Sequence, residues 1–233
     1  MRLSLVIPCY NEAKSLPALV ARCEAVFAGE NVEVILVDNG STDETAAVMA
    51  GLQGGGPVRW VRISPNRGYG GGILAGLAEA AGDVVGWTHA DLQTDPGDAL
   101  VGLRLFEGER AVMVKGRRFG RPLADVMFTA GMSVFETVLF GRVFWDINAQ
   151  PTLLPRAHYE SWRGAPSDFA LDLFAYHQAL QAGLRVRRFP VRFGARVHGV
   201  SHWNVNWAAK RRFIGRTMRF SLALRRGLRG GGA

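Results

Sequence analysis

The feature that most constrains this chain's fold is a regular alternation of apolar runs with helical patterns through its first half. Short apolar runs rich in branched residues predict buried strands, and apolar residues at helical spacing predict the helices between them. The predicted strands span residues 3–8, 32–38, 58–63 and 83–91. Helices are predicted at 14–28, after a capping box formed by Ser41 and Glu44, and at 71–82. This order predicts an α/β fold with a mostly parallel central sheet flanked by helices.

The second half is less regular, and it contains the longest apolar segment. The pattern predicts a strand at 111–116, a helix at 123–140, an irregular loop at 144–156, a helix at 168–182, a strand at 184–190 and a basic helix from about 206. The helix at 123–140 carries Asp125 and Glu136, so we expect it to be partly buried and not to span a membrane. We expect a main domain, 1–205, and a basic amphipathic helix with a disordered tail, 206–233.

Cysteine content and the N-terminus bear on the compartment. The chain has two cysteines, Cys9 and Cys23, which do not make a disulfide framework and fit a reducing compartment. The first apolar run is too short for a signal peptide, and polar residues follow it at once. Both features predict a cytoplasmic protein.

Charge is distributed unevenly along the chain, whose net charge is +8. Asp172 is the last acidic residue, and the 61 residues after it contain 13 Lys and Arg. Such a region suits a polyanion, that is, a membrane surface, a nucleic acid or a phosphorylated substrate, although a merely solubilising basic face is an alternative. Residues 207–229 mix eight bases with apolar residues, which favours a helix on an anionic membrane over one packed on its own domain. No zinc-finger pattern or aromatic RNA-binding signature is present, so we expect no nucleic-acid partner.

Polar clusters follow all four strands of the first half. They read "PCYNE", "DNGSTDE", "SPNRGYGGG" and "HADLQTD". Because ligands of parallel sheets bind beyond the carboxyl ends of the strands, these clusters predict a binding site at one edge of the sheet.

The segments "LSLVIPCYNE", "ILVDNGSTDET", "NRGYGGGILAGLAEAAGD" and "HADLQTDP", in this order, resemble the family 2 glycosyltransferases. More closely they resemble the branch of dolichyl- and polyprenyl-phosphate sugar transferases. The resemblance implies a GT-A fold and an inverting transfer of a sugar from a nucleotide-sugar donor. An alternative is a nucleotide-sugar-binding protein of the same fold with reduced or lost transferase activity.

The resemblance implies a nucleotide site built from the first three clusters. Asp38 is implied to accept a hydrogen bond from the base, because a carboxylate only accepts, although turn chemistry with the following Asn and Gly is an alternative. Arg67 suits phosphate, beside glycines that let the backbone approach a ligand. The implied nucleotide-binding residues are Pro8, Tyr10, Asn11, Glu12, Asp38, Asn66, Arg67 and Gly68.

The fourth cluster resembles the family's D-x-D-type motif, whose carboxylates and following Gln bind a divalent cation, Mg²⁺ or Mn²⁺. Asp91 matches the second acid and Gln93 matches the Gln, but His89 replaces the first acid. His89 is therefore a candidate ligand that favours Mn²⁺, a contact to diphosphate or sugar, or a packed strand-end residue. Asp95 is either an outer-shell group or part of an Asp-Pro turn.

Acceptor-side residues are implied by three later segments. "WDINAQPTLLPR" resembles a loop that closes the sugar pocket, with Asp146 and Gln150 as hydrogen-bonding residues. In the predicted helix at 168–182, Asp172 is the candidate catalytic base beside Asp91, whereas Asp168 also suits a helix start. "VRFGARVHGVSHWN" resembles a phosphate-contacting segment through Arg196, Ser201 and His202, the last in place of a Lys.

The acceptor decides whether a base is required. A hydroxyl must lose a proton, whereas a lipid phosphate is already ionised and needs no base. Related polyprenyl-phosphate transferases often carry C-terminal spanning helices, and we see none in this sequence, which weakens a lipid-phosphate acceptor relative to a glycan or lipid hydroxyl. We expect a peripheral protein at the inner face of the membrane.

Overall fold

The computed structural model describes residues 1–52, 56–194 and 207–230, with side chains in the last range described for 214–225. Two compact units are present. The first comprises Met1–Gly120 with Asn148–His198, and the second comprises Arg121–Ile147 with Gly199–Ala233.

The first unit is built on a seven-stranded sheet in the order β3-β2-β1-β4-β6-β5-β7. Its strands are β1 Leu3–Cys9, β2 Val32–Asn39, β3 Val58–Ile63, β4 Val84–Trp87, β5 Val112–Phe119, β6 Thr152–Pro155 and β7 Arg185–Arg192. Of these seven described strands, β6 alone runs antiparallel to its neighbours, β4 and β5. The predicted mostly parallel sheet is confirmed.

Two predictions about strands are wrong in detail. The region 144–156, predicted as an irregular loop, contains β6, whose four residues are too few for a pattern to register. The strand predicted at 83–91 ends at Trp87, so the polar residues after it lie in a loop.

Helices cover the sheet of the first unit. They are α1 Leu16–Phe27, α2 Thr45–Ala50, α3 Gly68–Ala78, α4 Asp98–Arg104, α6 Arg156–Glu160 and α7 Leu171–Gln181. The five apolar positions that predicted α1 are all buried. In α3, a Cβ on Gly76 would lie 2.4 Å from a methyl of Val6, so this glycine lets the helix approach the sheet closely.

The predicted capping box is wrong. α2 begins at Thr45 with Glu44 at its N-cap, the Glu44 side chain makes no capping hydrogen bond, and Asp43 instead accepts from the main chain of Thr45 at 2.9 Å. The hydroxyl of Ser41 accepts a hydrogen bond from the main chain of Asn11 instead, at 3.1 Å. A long-range contact therefore replaces the local one that the sequence suggested.

The second unit contains α5 Leu123–Phe140 and α8 Trp207–Gly230. α5 has the predicted bounds, but the positions that it buries are Ser133, Glu136 and Leu139, two of them polar. Among the described residues, α5 is the one helix long and apolar enough to cross a membrane, and 11% of it is buried.

Candidate active site

The loops that follow β1 and β2 are tied together by side chains of both. Asn11 accepts a hydrogen bond from the main chain of Thr42 at 2.8 Å and donates to its hydroxyl at 3.2 Å. The main chain of Glu12 donates to the hydroxyl of Thr45 at 2.8 Å. Asn11 has a φ of 58°, a conformation in which a short amide side chain is favoured because it bonds the nearby backbone. Two of the predicted nucleotide-binding clusters therefore form one rigid edge.

Pro8 and Tyr10 lie on either side of the end of β1. Pro8 is paired in register with Val37 of β2. It also lies close to α3, because a Cβ added to Gly72 would be 3.2 Å from the Cβ of Pro8. Tyr10 is exposed, with its ring available to a planar ligand. Pro8 thus shapes the floor of this edge, and Tyr10 is placed at its rim.

Asp38 is buried at the carboxyl end of β2, opposite Cys9 in register. One of its oxygens accepts a hydrogen bond from the main chain of Ser41 at 3.0 Å, which is the turn chemistry that the sequence allowed. The other oxygen lies 3.1 Å from Nε of Arg62, yet the geometry makes an ion pair and not a hydrogen bond. Oδ2 therefore keeps acceptor capacity for a ligand N–H group.

The segment after β3 is held by Asn39. Its side chain accepts from the main chain of Arg67 at 3.0 Å and donates to the carbonyl of Gly68 at 2.8 Å, while Asn66 accepts from the main chain of Gly68 at 2.7 Å. Arg67 is exposed at the N-cap of the 11-residue α3, where the helix dipole and a guanidinium both favour an anion.

The sequence suggested that the glycines of this segment let the backbone approach a ligand, but in the structure they lie against another part of the protein. A Cβ on Gly68 would lie 2.6 Å from the carbonyl oxygen of Ser167, and one on Gly70 would lie 2.6 Å from that of Pro166. These glycines therefore accommodate another stretch of the chain, the turn before α7. That turn brings Phe169 and Asp172 to the same edge.

The loop after β4 is tightly folded around Asp91. Asp91 is buried, and its carboxylate accepts a hydrogen bond from the main chain of Gln93 at 3.1 Å. Between them Leu92 has a φ of 56°, which is a genuine outlier for this residue type. Gln93 and Gly194 exchange hydrogen bonds, with the Gln93 side chain donating at 3.1 Å and its carbonyl accepting at 2.7 Å. The Gln93 amide nitrogen is thus committed to the chain beyond β7.

The residues present determine how well a cation would fit. The described residues contain no group of three or more His, Cys, Asp and Glu side chains arranged for a metal. Asp91 supplies a carboxylate, and Gln93 and His89 would add an amide and an imidazole, which form a weakly charged oxygen and nitrogen set. Such a set fits Mg²⁺ or Mn²⁺ only with further ligands from a bound anion.

His89 lies beside an aromatic pair. Its ring centroid is 6.2 Å from that of Tyr69, which stacks on Phe169 at 4.7 Å with the planes 12° apart. Phe169 is 40% exposed. Neither Tyr69 nor Phe169 is among the site residues predicted from the sequence, although Tyr69 lies inside the "NRGYGGG" segment.

Asp172 is at the centre of a buried hydrogen-bond network. Its carboxylate accepts from Trp87 Nε1 at 3.0 Å and from the Tyr69 hydroxyl at 3.1 Å. Gln150 donates to the same hydroxyl. Burial, and then the charge of Asp172, raise the pKa of Tyr69 well above its ordinary value, so the phenol keeps its proton. Both oxygens of Asp172 thus accept from the protein, a geometry that favours positioning over proton abstraction.

Two neighbouring acids have structural partners. Asp95 forms an ion pair with Arg22, whose Nε donates to Oδ1 at 3.2 Å and to Oδ2 at 3.0 Å and whose Nη2 donates to Oδ2 at 2.6 Å. Asp95 also accepts from the main chain of Gly97 at 2.8 Å. Asp168 accepts from the main chain of Ala170 at 3.0 Å, ahead of α7. The turn and helix-start interpretations account for both contacts.

The remaining acceptor-side residues divide into two groups. Asp146, in the second unit, is buried with a φ of 41°, and its carboxylate lies 3.7 Å from Arg121 of the same unit. Arg196, Ser201 and His202 lie outside the described residues. Their phosphate-contacting role stays a prediction.

Comparisons with known proteins show which protein family this chain matches. The family model for glycosyl transferase family 2 matches residues 4–148. An undecaprenyl-phosphate 4-deoxy-4-formamido-L-arabinose transferase of Enterobacter sp. (strain 638) is 38% identical over 99 residues, which cover 41% of this chain and 30% of that protein. A dolichol-phosphate mannosyltransferase of Pyrococcus furiosus is 35% identical over 96 residues, covering 41% and 27%. The chain thus aligns with less than a third of these relatives' length.

Among solved structures, glucosyl-3-phosphoglycerate synthase of Mycobacterium tuberculosis, in complex with Mn²⁺, UDP-glucose and phosphoglyceric acid, has a TM-score of 0.70. The likeness covers 97% of this chain and 80% of that one at 21% identity, so it concerns the fold alone and confirms the expected GT-A fold. The matched family segment, 4–148, spans more than half of the chain and contains all four strand-end clusters. The chain therefore belongs to glycosyl transferase family 2.

Proposed function

We propose that this protein transfers a sugar from a nucleotide diphosphate sugar to an acceptor, with inversion at the anomeric carbon. The observation that carries the proposal is that Asp38, at the carboxyl end of β2, and Arg67, in the segment after β3, lie at the same edge of the sheet. Asp38 offers a buried acceptor oxygen for a base, and Arg67 opens α3 with an exposed guanidinium, at the positive end of the helix dipole, for the diphosphate. The named relatives are sugar transferases, and the solved neighbour is a complex with UDP-glucose, which supports the same reaction class.

In this reaction the acceptor oxygen attacks the anomeric carbon from the side opposite the diphosphate. The bond between that carbon and the diphosphate oxygen breaks, and a single displacement inverts the configuration. The leaving diphosphate gains negative charge, which the exposed Arg67 and the α3 N-terminus stabilise electrostatically.

A divalent cation suits the same step. Asp91, with His89 and Gln93, would hold it, and when bound it would supply positive charge to the departing diphosphate. The structure of the mycobacterial neighbour was solved with Mn²⁺ and UDP-glucose, which supports Mn²⁺ for this chain as well. The imidazole of His89 also favours Mn²⁺ over Mg²⁺.

The acceptor is a polyprenyl phosphate or a glycan or lipid hydroxyl. The named relatives act with undecaprenyl phosphate and dolichol phosphate, which supports the first. A phosphate needs no base, and this agrees with an Asp172 whose oxygens already accept from Trp87 and Tyr69. The protein would work at the cytoplasmic face of an anionic membrane, which the basic helix α8 contacts.

Donor binding tests the proposal directly. A panel of UDP-, GDP- and dTDP-sugars, each with and without Mn²⁺, is screened for thermal stabilisation and for release of the nucleoside diphosphate. We expect the sugars of one nucleotide base to stabilise the protein. Asp38→Asn should weaken the affinity for that donor at least about tenfold, because the amide presents a donor where the base N–H requires an acceptor. If no nucleotide-sugar stabilises the wild-type protein, the proposal is wrong.

A second candidate function, nucleotide-sugar binding without transfer, is favoured by His89 in place of an acid. The same panel, extended to Mg²⁺ and to candidate acceptors, distinguishes the two functions. Stabilisation by a nucleotide-sugar without release of the nucleoside diphosphate would support the second.

A further inference from the structure

Helix α5 of the second unit has its apolar side exposed and its polar side buried. Leu123, Met127, Val134 and Val138 recur at intervals of four or seven residues and so form one stripe, and they are 73%, 67%, 59% and 76% exposed. No charged residue lies in the stripe, because the two acids of the helix, Asp125 and Glu136, lie on other faces. This arrangement is the reverse of that of a helix on a soluble protein.

The buried side of α5 explains why the polar residues are inside. Ser133 accepts a hydrogen bond from the main chain of Asp146 at 3.1 Å, and Thr137 bonds the main chain of Phe144 at 3.0 Å. Glu136 accepts from the hydroxyl of Ser221 on α8 at 2.6 Å. These bonds hold α5 against α8 and against the loop at 144–146, so the polar face is occupied by the protein and the apolar face is left outside.

The exposed apolar surface continues beyond the helix and is bordered by positive charge. Val143 and Trp145 are 75% and 42% exposed. On α8, Arg216 and Arg219 are exposed beside Met218 and Leu222, and α8 contains no acidic residue. A second copy of the chain would bring two such basic helices together, whereas an anionic bilayer complements both the apolar stripe and the charge.

We propose that the α5 stripe, formed by Leu123, Met127, Val134 and Val138, inserts into the interface of an anionic lipid bilayer while α8 supplies the electrostatic attraction. α5 lies in the plane of the membrane surface and does not cross it, because its polar face is bonded to the protein through Ser133, Glu136 and Thr137. This inference rests on the membrane contact of the proposed function but not on glycosyl transfer.

The test measures partition of the full-length protein onto vesicles of phosphatidylcholine alone and of phosphatidylcholine with 30% phosphatidylglycerol. We expect wild-type protein to bind the anionic vesicles and Val134→Asp with Val138→Asp to reduce partition at least about tenfold, since two carboxylates would enter the apolar interface. Val101→Asp is the matched control, because Val101 is 46% exposed on α4 and lies in the first unit. It should leave partition unchanged.

Further variants separate the two contributions. Arg216→Glu with Arg219→Glu should reduce binding to anionic vesicles. The inference for α5 requires that the α5 substitutions reduce binding further when they are combined with these two. Quenching of tryptophan emission by brominated lipid should decrease in Trp145→Phe, since Trp145 borders the stripe. Thermal unfolding and stabilisation by nucleotide-sugar are recorded for every variant, so that loss of fold or of donor binding is recognised separately.

Two results would overturn the inference. One is absence of wild-type binding to anionic vesicles or equal binding by the α5 variants. The other is a wild-type dimer in sedimentation that Val138→Asp converts to monomer with vesicle binding unchanged, which would assign the stripe to a second copy of the chain.

Discussion

His89 differs from a carboxylate by one negative charge, and this difference has a measurable consequence for metal binding. With one carboxylate in the set, a divalent ion should bind weakly alone and strongly with donor diphosphate, so metal and nucleotide-sugar should each raise the affinity of the other. We expect His89→Asp to tighten Mn²⁺ binding in the absence of donor, measured by calorimetry. Weaker donor binding in this variant would show that His89 faces the diphosphate. No change in either affinity would identify His89 as a packed loop residue.

Asp91 and Asp95 lie four residues apart, and we expect their replacement by alanine to affect metal binding differently. Asp91→Ala removes the buried carboxylate proposed to hold the cation, and we expect turnover to fall at least about a hundredfold with metal binding lost. Asp95→Ala removes the partner of Arg22 and should lower stability by about 1 kcal/mol or less while metal binding persists. Near-wild-type turnover by Asp91→Ala would remove the metal assignment.

Asp172 is testable because two variants disturb the same network differently. Asp172→Asn cannot accept from both Trp87 and Tyr69, and Tyr69→Phe removes the hydroxyl between Asp172 and Gln150. If Asp172 positions Tyr69, both variants should lower activity by similar factors and leave the shape of the pH profile unchanged. If Asp172 is the base, Asp172→Asn alone should abolish activity and Tyr69→Phe should keep most of it.

At the scale of elements, the contact between α5 and α8 makes the stability of the folded protein depend on pH. Burial raises the pKa of Glu136 from 4.5 to about 7, and the hydrogen bond from Ser221 offsets part of this rise. Between these values the folded protein holds a proton that the unfolded chain has lost, so stability falls as pH rises through this window and is level above it. The loss amounts to about 3 kcal/mol at most.

We expect Glu136→Gln to flatten the melting temperature between about pH 5 and pH 7, since the amide stays neutral and still accepts from Ser221. Asp98, whose pKa burial raises to about 6, changes stability in the same direction in both proteins. The difference between variant and wild type is therefore the informative quantity. Parallel curves for the two proteins would contradict the prediction.

The elements also show why sequence patterns predicted some features and not others. α1 and α5 were predicted with nearly correct bounds because each repeats apolar residues over three or more turns. β6 has four residues, and its pairing with β4 and β5 depends on segments far along the chain. The periodicity of α5 located the helix but did not reveal that its apolar face points outward.

Some residues of the candidate site could be predicted from the sequence, and the long-range contacts between them could not. Asp38 and Asp91 follow apolar strands, so their placement at one edge follows from the parallel sheet alone. The bonds of Asp172 to Trp87 and Tyr69 join residues 85 and 103 positions apart, and nothing in local spacing encodes them. The same holds for Gln93 and Gly194, 101 positions apart.

For the whole molecule, the separation of acidic and basic residues along the chain predicts salt-sensitive membrane binding. Each base near an anionic surface contributes about 1 kcal/mol, and this attraction is screened as the Debye length falls from about 10 Å at 0.1 M salt to about 3 Å at 1 M. We expect cosedimentation with anionic vesicles to decrease severalfold over this range and a smaller, salt-resistant fraction to remain through the α5 stripe. Binding that is unaffected by salt would contradict the role of α8.

The position of β6 has a consequence for how the protein is made. On a ribosome, β1 to β4 can pair as soon as residue 87 has emerged, but the free side of β4 is not covered until residue 155 follows. At about 5–20 residues per second this interval lasts several seconds, during which an apolar strand edge is open to any other nascent chain. In the part of the chain that the structure describes, the strand that closes this edge is also the one that connects β4 to the β5–β7 pair. Synthesis of residues 88–155 thus sets a period in which the growing chain depends on its surroundings to avoid mispairing.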